Sequence, residues 1–198
     1  LLLGGNGQVG WELRRSLAPL GEIRAYDRHT GNLQKLDDLS RLIRGFSPEA
    51  IVNAAAYTSV DKAESEPEKA YQINTKAVEF IAKEAKRLNA WFIHYSTDYV
   101  FDGLKSRAYI ETDRPNPQSV YGQTKYDGEE SIKESKVKHL IFRTAWVYSK
   151  RGTNFIKTMI QLAKKQDELK VVNDQIGAPT GAELIADVTA LCLYQIAQ

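Results

Sequence analysis

The opening of the chain constrains its fold most. Leu1-Leu2-Leu3-Gly4-Gly5-Asn6-Gly7-Gln8-Val9-Gly10 reads as the end of a strand buried on both faces, a glycine turn, and the start of a helix. Val9, Leu13 and Leu17 give that helix its apolar stripe, and Pro19 with Gly21 close it. Backbone N–H groups and a helix N-terminus can approach a pyrophosphate through such a turn, because no Cβ intervenes. The spacing is G-x-x-G-x-x-G rather than G-x-G-x-x-G, with Gly5 also in the turn. A plain tight connection would look similar. Its placement between a buried strand and an amphipathic helix favours a dinucleotide site, with Gly4, Gly7, Gln8, Val9 and Gly10 as candidates.

A second strand is expected over residues 22–27, ending at Asp27 about twenty positions after the glycines, where a carboxylate would bind the ribose diol of NAD. Arg28 stands beside it and can instead hold the 2′-phosphate of NADP. The two signals oppose each other, so NADPH and NADH both remain open.

Further along, helix and strand patterns alternate. Leu36, Leu39, Leu42, Ile43 and Phe46 form a helical stripe, residues 50–53 a strand, and residues 67–88 a long helix opened by Pro67. Strands are expected at 91–95, 139–143 and 169–172, and helices around Tyr121, over 154–165 and over 181–198. Such alternation predicts an α/β fold with a doubly wound parallel sheet of the Rossmann type. Residues 1–150 are expected to form the dinucleotide-binding domain, and 151–198 elements shared with a smaller substrate domain. A first strand of three residues with no methionine, and a last helix with nothing after it, suggest a chain trimmed at both ends.

Ligands of such sheets bind at the carboxyl ends of the strands. The glycine turn, Ala54-Ala55-Ala56, Ser96-Thr97-Asp98 and Ala145-Trp146 all fall there. Small residues at 54–56 would let a flat cofactor lie close or would simply pack a helix. Thr97 can polarise a carbonyl or cap a loop, and Asp98 can orient a hydroxyl or cap a turn. Trp146 can shelve a sugar or lie buried. Tyr121 and Lys125, four apart, share one helix face. A cation beside a phenol favours phenolate, so the pair predicts a Tyr121 drawn below its ordinary ~10 and able to exchange a proton with substrate.

With 198 residues, 42% of them hydrophobic, the chain can bury one substantial core. A net charge of +2, mixed along the sequence, gives no patch for nucleic acid, and no apolar run reaches membrane-spanning length. Cys192, the one cysteine, fits a reducing, cytoplasmic setting and a buried packing role. His29, His94 and His139 have no metal-ligand spacing.

Several runs together carry a specific resemblance. They are Gly4–Gly10 with Trp11-Glu12-Leu13, Val52-Asn53-Ala54-Ala55-Ala56-Tyr57-Thr58, Asp61-Lys62-Ala63-Glu64 and His94-Tyr95-Ser96-Thr97-Asp98-Tyr99-Val100-Phe101. Tyr121-Gly122-x-Thr124-Lys125, Phe142-Arg143-Thr144-x-Trp146-Val147-Tyr148 and Asn173-Asp174-Gln175-x-Gly177-Ala178-Pro179-Thr180-Gly181 continue it in order. The chain resembles the extended short-chain dehydrogenase/reductases, and among them the dTDP-4-dehydrorhamnose reductase family. That resemblance implies reduction of a dTDP-4-dehydro-L-rhamnose ketone by NADPH or NADH. Tyr121 would be the proton donor, Lys125 its partner and ribose ligand, and Thr97 the carbonyl's hydrogen-bond donor. It further implies Thr97, Asp98 and Trp146 against the sugar nucleotide, and Gly7 to Val9, Asp27, Asn32, Leu33 and Ala56 to Thr58 along the cofactor, with Ala55 beside them. Asn32 stands where the family often has an acidic residue. Some members dimerise around Mg²⁺, and Glu12 and Glu183 match two of the carboxylates involved, so a homodimer with Mg²⁺ is a further implication. A regulatory beta subunit of methionine adenosyltransferase, with a binding role, resembles the same reductases; a reductase or epimerase of another nucleotide sugar is the third alternative.

Overall fold

The computed structural model describes residues 1–196. Its central sheet has five parallel strands in the order β2-β1-β3-β4-β5. These are β1 (Leu2–Leu3), β2 (Ala25–Tyr26), β3 (Ala50–Asn53), β4 (Trp91–Thr97) and β5 (His139–Thr144). The crossovers are α1 (Gln8–Leu17), α2 (Leu36–Phe46), then α3 (Val60–Ser65), α4 (Pro67–Tyr71) and α5 (Ala77–Arg87) in succession, and α6 (Val120–Ser135). Strands β1, β3 and β4 are apolar on both faces because helices cover both. Leu3, Ile51 and Phe92 pack under α2 and α5 with Leu39, Ile43, Val78 and Ile81. Leu2, Val52 and Ile93 pack on the other face with Leu13, Leu17 and Ala186. Each fully buried Leu, Ile or Phe contributes roughly 1.5–3 kcal/mol.

Beyond β5, β6 (Val147–Tyr148) and β7 (Thr180–Gly181) form a separate parallel pair, with α7 (Phe155–Ala163) between them. The last helix, α8 (Ala182–Ile196), returns to lie on α1, where Arg15 and Ser16 both donate to Asp187. Of the expected 181–198 helix, Gly181 belongs to β7 instead, and 197–198 lie outside the described residues.

Four expectations are corrected. Strand β2 is two residues, not six, and Asp27 falls in the following turn. The helix over 67–88 contains a π turn at Gln72–Lys76, which swings Asn74 inward. Residues 169–172 form no strand: Val171 and Val172 are exposed with no neighbouring edge to pair with, and β-branched residues extend only where a partner strand exists. Cys192 is half-buried, since only one side of α8 meets the body of the protein.

Candidate active site

The carboxyl ends of β1, β3 and β4 open into a cleft of about 780 Å³. At one end lies the glycine turn. Gly4 has φ +79 and lies so close to β3 that a Cβ would meet Ala54 and Ala55 backbone at 2.7 Å. Gly10, in the first turns of α1, is equally constrained, because a Cβ there would stand 2.1 Å from Gly4 O. Gly10 is therefore buried under the turn and does not line the cleft, whereas Gly4, Gly7, Gln8 and Val9 do. Gly7 caps α1 without a side-chain bond to its N–H groups. Free first-turn N–H groups, no side chain in the way and a positive helix end make this turn fit a pyrophosphate.

The next stretch of wall is Asp27, Arg28, Asn32 and Leu33. Asp27 Oδ1 accepts from His29 N at 2.9 Å, Thr30 N at 3.1 Å and Thr30 Oγ1 at 3.0 Å, while Oδ2 accepts from Asn6 Nδ2 at 2.6 Å. The donors from Thr30 and His29 hold its carboxyl below the ordinary range. Asn32 Oδ1 accepts from Gln34 N at 3.0 Å. Opposite run Ala54, Ala55, Ala56, Tyr57 and Thr58. Asn74 clamps this loop: Oδ1 accepts from Tyr57 N at 2.9 Å, and Nδ2 donates to Tyr57 O at 3.0 Å and to Thr124 Oγ1 at 3.2 Å. Sequence reading passed over Asn74, although an asparagine inside an apolar helical run is a signal that its side chain has other work.

Tyr121 and Lys125 close the other end of the cleft. Ser119 caps α6 by accepting from Gly122 N at 3.1 Å. Gly122 lets α6 press on the turn after β4, since a Cβ would stand 2.2 Å from Tyr99 O. The ring of Tyr99 then meets that of Tyr121 edge-on, with centroids 5.6 Å apart at 74°. Two predicted features are overturned. Burial, together with the nearby Asp98 charge, pushes Tyr121 up to about 12, with Thr97 only partly offsetting it. The Lys125 ammonium does not turn to the phenol. Its Nζ donates to Tyr95 O at 2.6 Å and lies 3.1 Å from His94 Nε2, and burial lowers it to about 8. Helical spacing sets a shared face, but a four-carbon side chain places its head wherever an acceptor is buried.

Thr97 is buried beside Tyr121, with Oγ1 donating to Asp98 Oδ1 at 3.1 Å and accepting from Tyr99 N at 3.2 Å. Burial raises Asp98. Trp146 is 47% exposed, not buried, and has φ 46, a strained conformation for a bulky residue. Gly177 lies against its indole. Thr97, Asp98 and Trp146 do not line the cleft itself but sit at or just past the carboxyl ends of β4 and β5. Glu12 pairs with Arg15 at 3.6 Å, and Glu183 is exposed at the start of α8. Among the described residues no group of three or more His, Cys, Asp or Glu could hold a metal. No helix among them is long and apolar enough to cross a membrane.

A parallel sheet in this order, with a glycine turn at one end of its cleft and a tyrosine–lysine pair at the other, defines a dinucleotide-binding protein of the short-chain dehydrogenase/reductase type. Residues 1–198 match the RmlD substrate binding domain, and the chain belongs to that family. The dTDP-4-dehydrorhamnose reductase of Escherichia coli (strain K12) is 56% identical over 194 residues, covering 96% of this chain and 65% of that protein. The chain thus spans about two thirds of the length of the curated relatives it matches, 65% in that case. Among solved structures, a dTDP-4-dehydrorhamnose reductase from Clostridium acetobutylicum is similar with a TM-score of 0.94 and 38% identity, over 98% of this chain and 69% of that one. Another from Bacillus anthracis, solved in complex with NADP, has a TM-score of 0.93 and 36% identity over the same shares, 98% and 69%.

Proposed function

We propose that this chain supplies the cofactor cleft and the proton donor of a reductase that converts dTDP-4-dehydro-L-rhamnose to dTDP-L-rhamnose. The observation that carries this reading is one continuous cleft from the uncapped N-terminus of α1 to Tyr121 and Lys125. The 56% identity to a named reductase favours it over a regulatory binding subunit or an epimerase. NADPH or NADH, when bound, supplies hydride to the C4 ketone.

The protein's own groups do the rest. The N–H groups at Gln8 and Val9 hold phosphate, and Asp27, Arg28, Asn32 and Leu33 line the adenosine end. Ala55, Ala56, Tyr57 and Thr58 flank the nicotinamide end, with Lys125 at its floor. Tyr121 near 12 keeps its proton at every working pH. Such a phenol is suited to giving that proton to a ketone oxygen as it gains charge, because an alkoxide is far more basic than a phenolate. Thr97 steadies the same oxygen once substrate draws its hydroxyl from Asp98, and Asp98 and Trp146 contact the sugar.

The test is an assay with dTDP-4-dehydro-L-rhamnose and each reduced cofactor. Equal amounts of oxidised cofactor and dTDP-L-rhamnose are expected. A sugar epimerised without net cofactor oxidation would assign an epimerase, and no reaction together with tight binding to methionine adenosyltransferase would assign a regulatory subunit.

A further inference from the structure

Under Lys125 lies a buried polar chain that the proposed reaction leaves unused. The register of β3 on β4 sets Asn53 beside His94, and each is 1% exposed. Asn53 Nδ2 lies 3.3 Å from His94 Nδ1, and His94 Nε2 lies 3.1 Å from Lys125 Nζ. One donor fixes the protons along this chain. The N–H of Ala55 can only donate, and it meets Asn53 Oδ1 at 3.1 Å. Asn53 must therefore turn its NH₂ towards His94, whose Nδ1 accepts. Burial, reinforced by the Lys125 charge, holds His94 well below its ordinary pKa, so the ring is neutral. Its single proton then sits on Nε2, facing Lys125. An ammonium there would oppose donor to donor, while a free amine offers a lone pair.

We propose that Asn53 and His94 are positioning residues that fix the imidazole proton on Nε2 and thereby ready Lys125 to release a proton into the cleft. The proposal rests on the reading of this cleft as a reductase site and adds a second titrating group to it. When Lys125 gives one proton to the cleft it becomes an amine that accepts from His94 Nε2–H and still donates to Tyr95 O, so nothing else in the chain changes protonation.

The surrounding charges do not compensate. Glu129, one turn along α6, favours the ammonium, yet its carboxylate is held by Arg143 of β5 at 2.9 and 2.6 Å. Tyr121, one turn back, is neutral. From β4 come only His94 and the Tyr95 carbonyl. Across the cleft α3 and α4 present Lys62 and Lys69, with Glu66 between them paired to Lys69 at 2.8 Å.

Two magnetic-resonance measurements on the protein without substrate test this. Histidine nitrogen shifts should show His94 neutral with its proton on Nε2; a proton on Nδ1, or an imidazolium at neutral pH, overturns the proposal. Lysine carbon shifts should show Lys125 titrating near 8 and rising by about one unit in His94→Phe, which removes the donor to the amine. An unmoved titration in that variant also overturns it. Should His94→Phe not fold, Asn53→Asp replaces the donor at Nδ1 by an acceptor and should shift the imidazole proton to Nδ1 and raise Lys125; a proton that stays on Nε2 overturns the part assigned to Asn53. Neither readout needs turnover, so failure of the reductase reading shows separately, as wild-type protein that oxidises no cofactor.

Discussion

The two ends of the cleft are made of different material. The phosphate end is mostly backbone: glycines in close approach, an uncapped helix start, and an aspartate whose oxygens are already taken by its own loop and by Asn6 of the glycine turn. The chemical end is side chain: a phenol, an amine and an imidazole taken out of water and moved in pKa by that removal. Backbone geometry has no protonation state and no tolerance for a Cβ. Buried side chains tolerate changes of shape better, but they answer to pH. Substitutions at the two ends should therefore fail in different ways.

The largest effect is expected at the chemical end. Tyr121→Phe keeps the ring that meets Tyr99 edge-on and removes only the hydroxyl. Turnover should fall ~10²-fold or more with cofactor affinity within about twofold of wild type. Steady-state kinetics and a cofactor fluorescence titration read the two quantities separately. A parallel loss of affinity would mean that the ends are not separable.

The mirror experiment is Gly10→Ala. With Gly4 O at 2.1 Å from the new Cβ, either the turn or α1 must shift, at a cost of about 3 kcal/mol in urea unfolding. Cofactor affinity should fall with it, while turnover at saturating cofactor holds. Unchanged stability would show that α1 can slide away from β1.

The same division explains what could be read from sequence. The phosphate end was legible because it depends on neighbours in the chain: three leucines, spaced glycines, then a helical stripe. Strand β3 and helix α2 were legible for the same reason, and the alternation announced a parallel sheet without its strand order. Lys125 was found, but the shift of Tyr121 was read with the wrong sign, because burial rather than the lysine sets it. Helical spacing reports a shared face, whereas desolvation depends on β4, the turn after it and α6 closing together. His94 gave no usable signal, since its partners Asn53 and Lys125 lie 41 and 31 positions away. The 169–172 run misled because strand propensity describes a residue's fit to a sheet that must already be there.

A pH experiment sharpens the comparison further. Lys125 titrates near 8 when folded and near 10.5 when unfolded. Between those values the unfolded chain binds the additional proton, so stability rises with pH across that window. Below pH 8 the full burial penalty is present. Tyr121, raised to about 12, acts the opposite way only above about 10, where the unfolded phenol ionises first. Urea unfolding should therefore gain about 2 kcal/mol from pH 8 to 10, and Lys125→Met should flatten that rise. A rise that persists in Lys125→Met would place the titrating group elsewhere. Gly10→Ala should keep the slope and lower only its level.

The smallest effect expected is at the adenosine lip, where the phosphate end must choose between two cofactors. Asp27 already accepts four hydrogen bonds from Asn6, His29 and Thr30, which leaves its carboxylate less able to take a ribose diol. Arg28 beside it is exposed and forms no ion pair among the described residues, so its guanidinium fork is free for a phosphate. Arg28→Ala should weaken NADPH about tenfold and NADH by less than about twofold, read as the ratio of the two dissociation constants. Equal weakening of both would assign Arg28 a general attraction for the pyrophosphate. No weakening of either would return the ribose to Asp27, and with it a side-chain contact to the end of the cleft that otherwise depends on backbone.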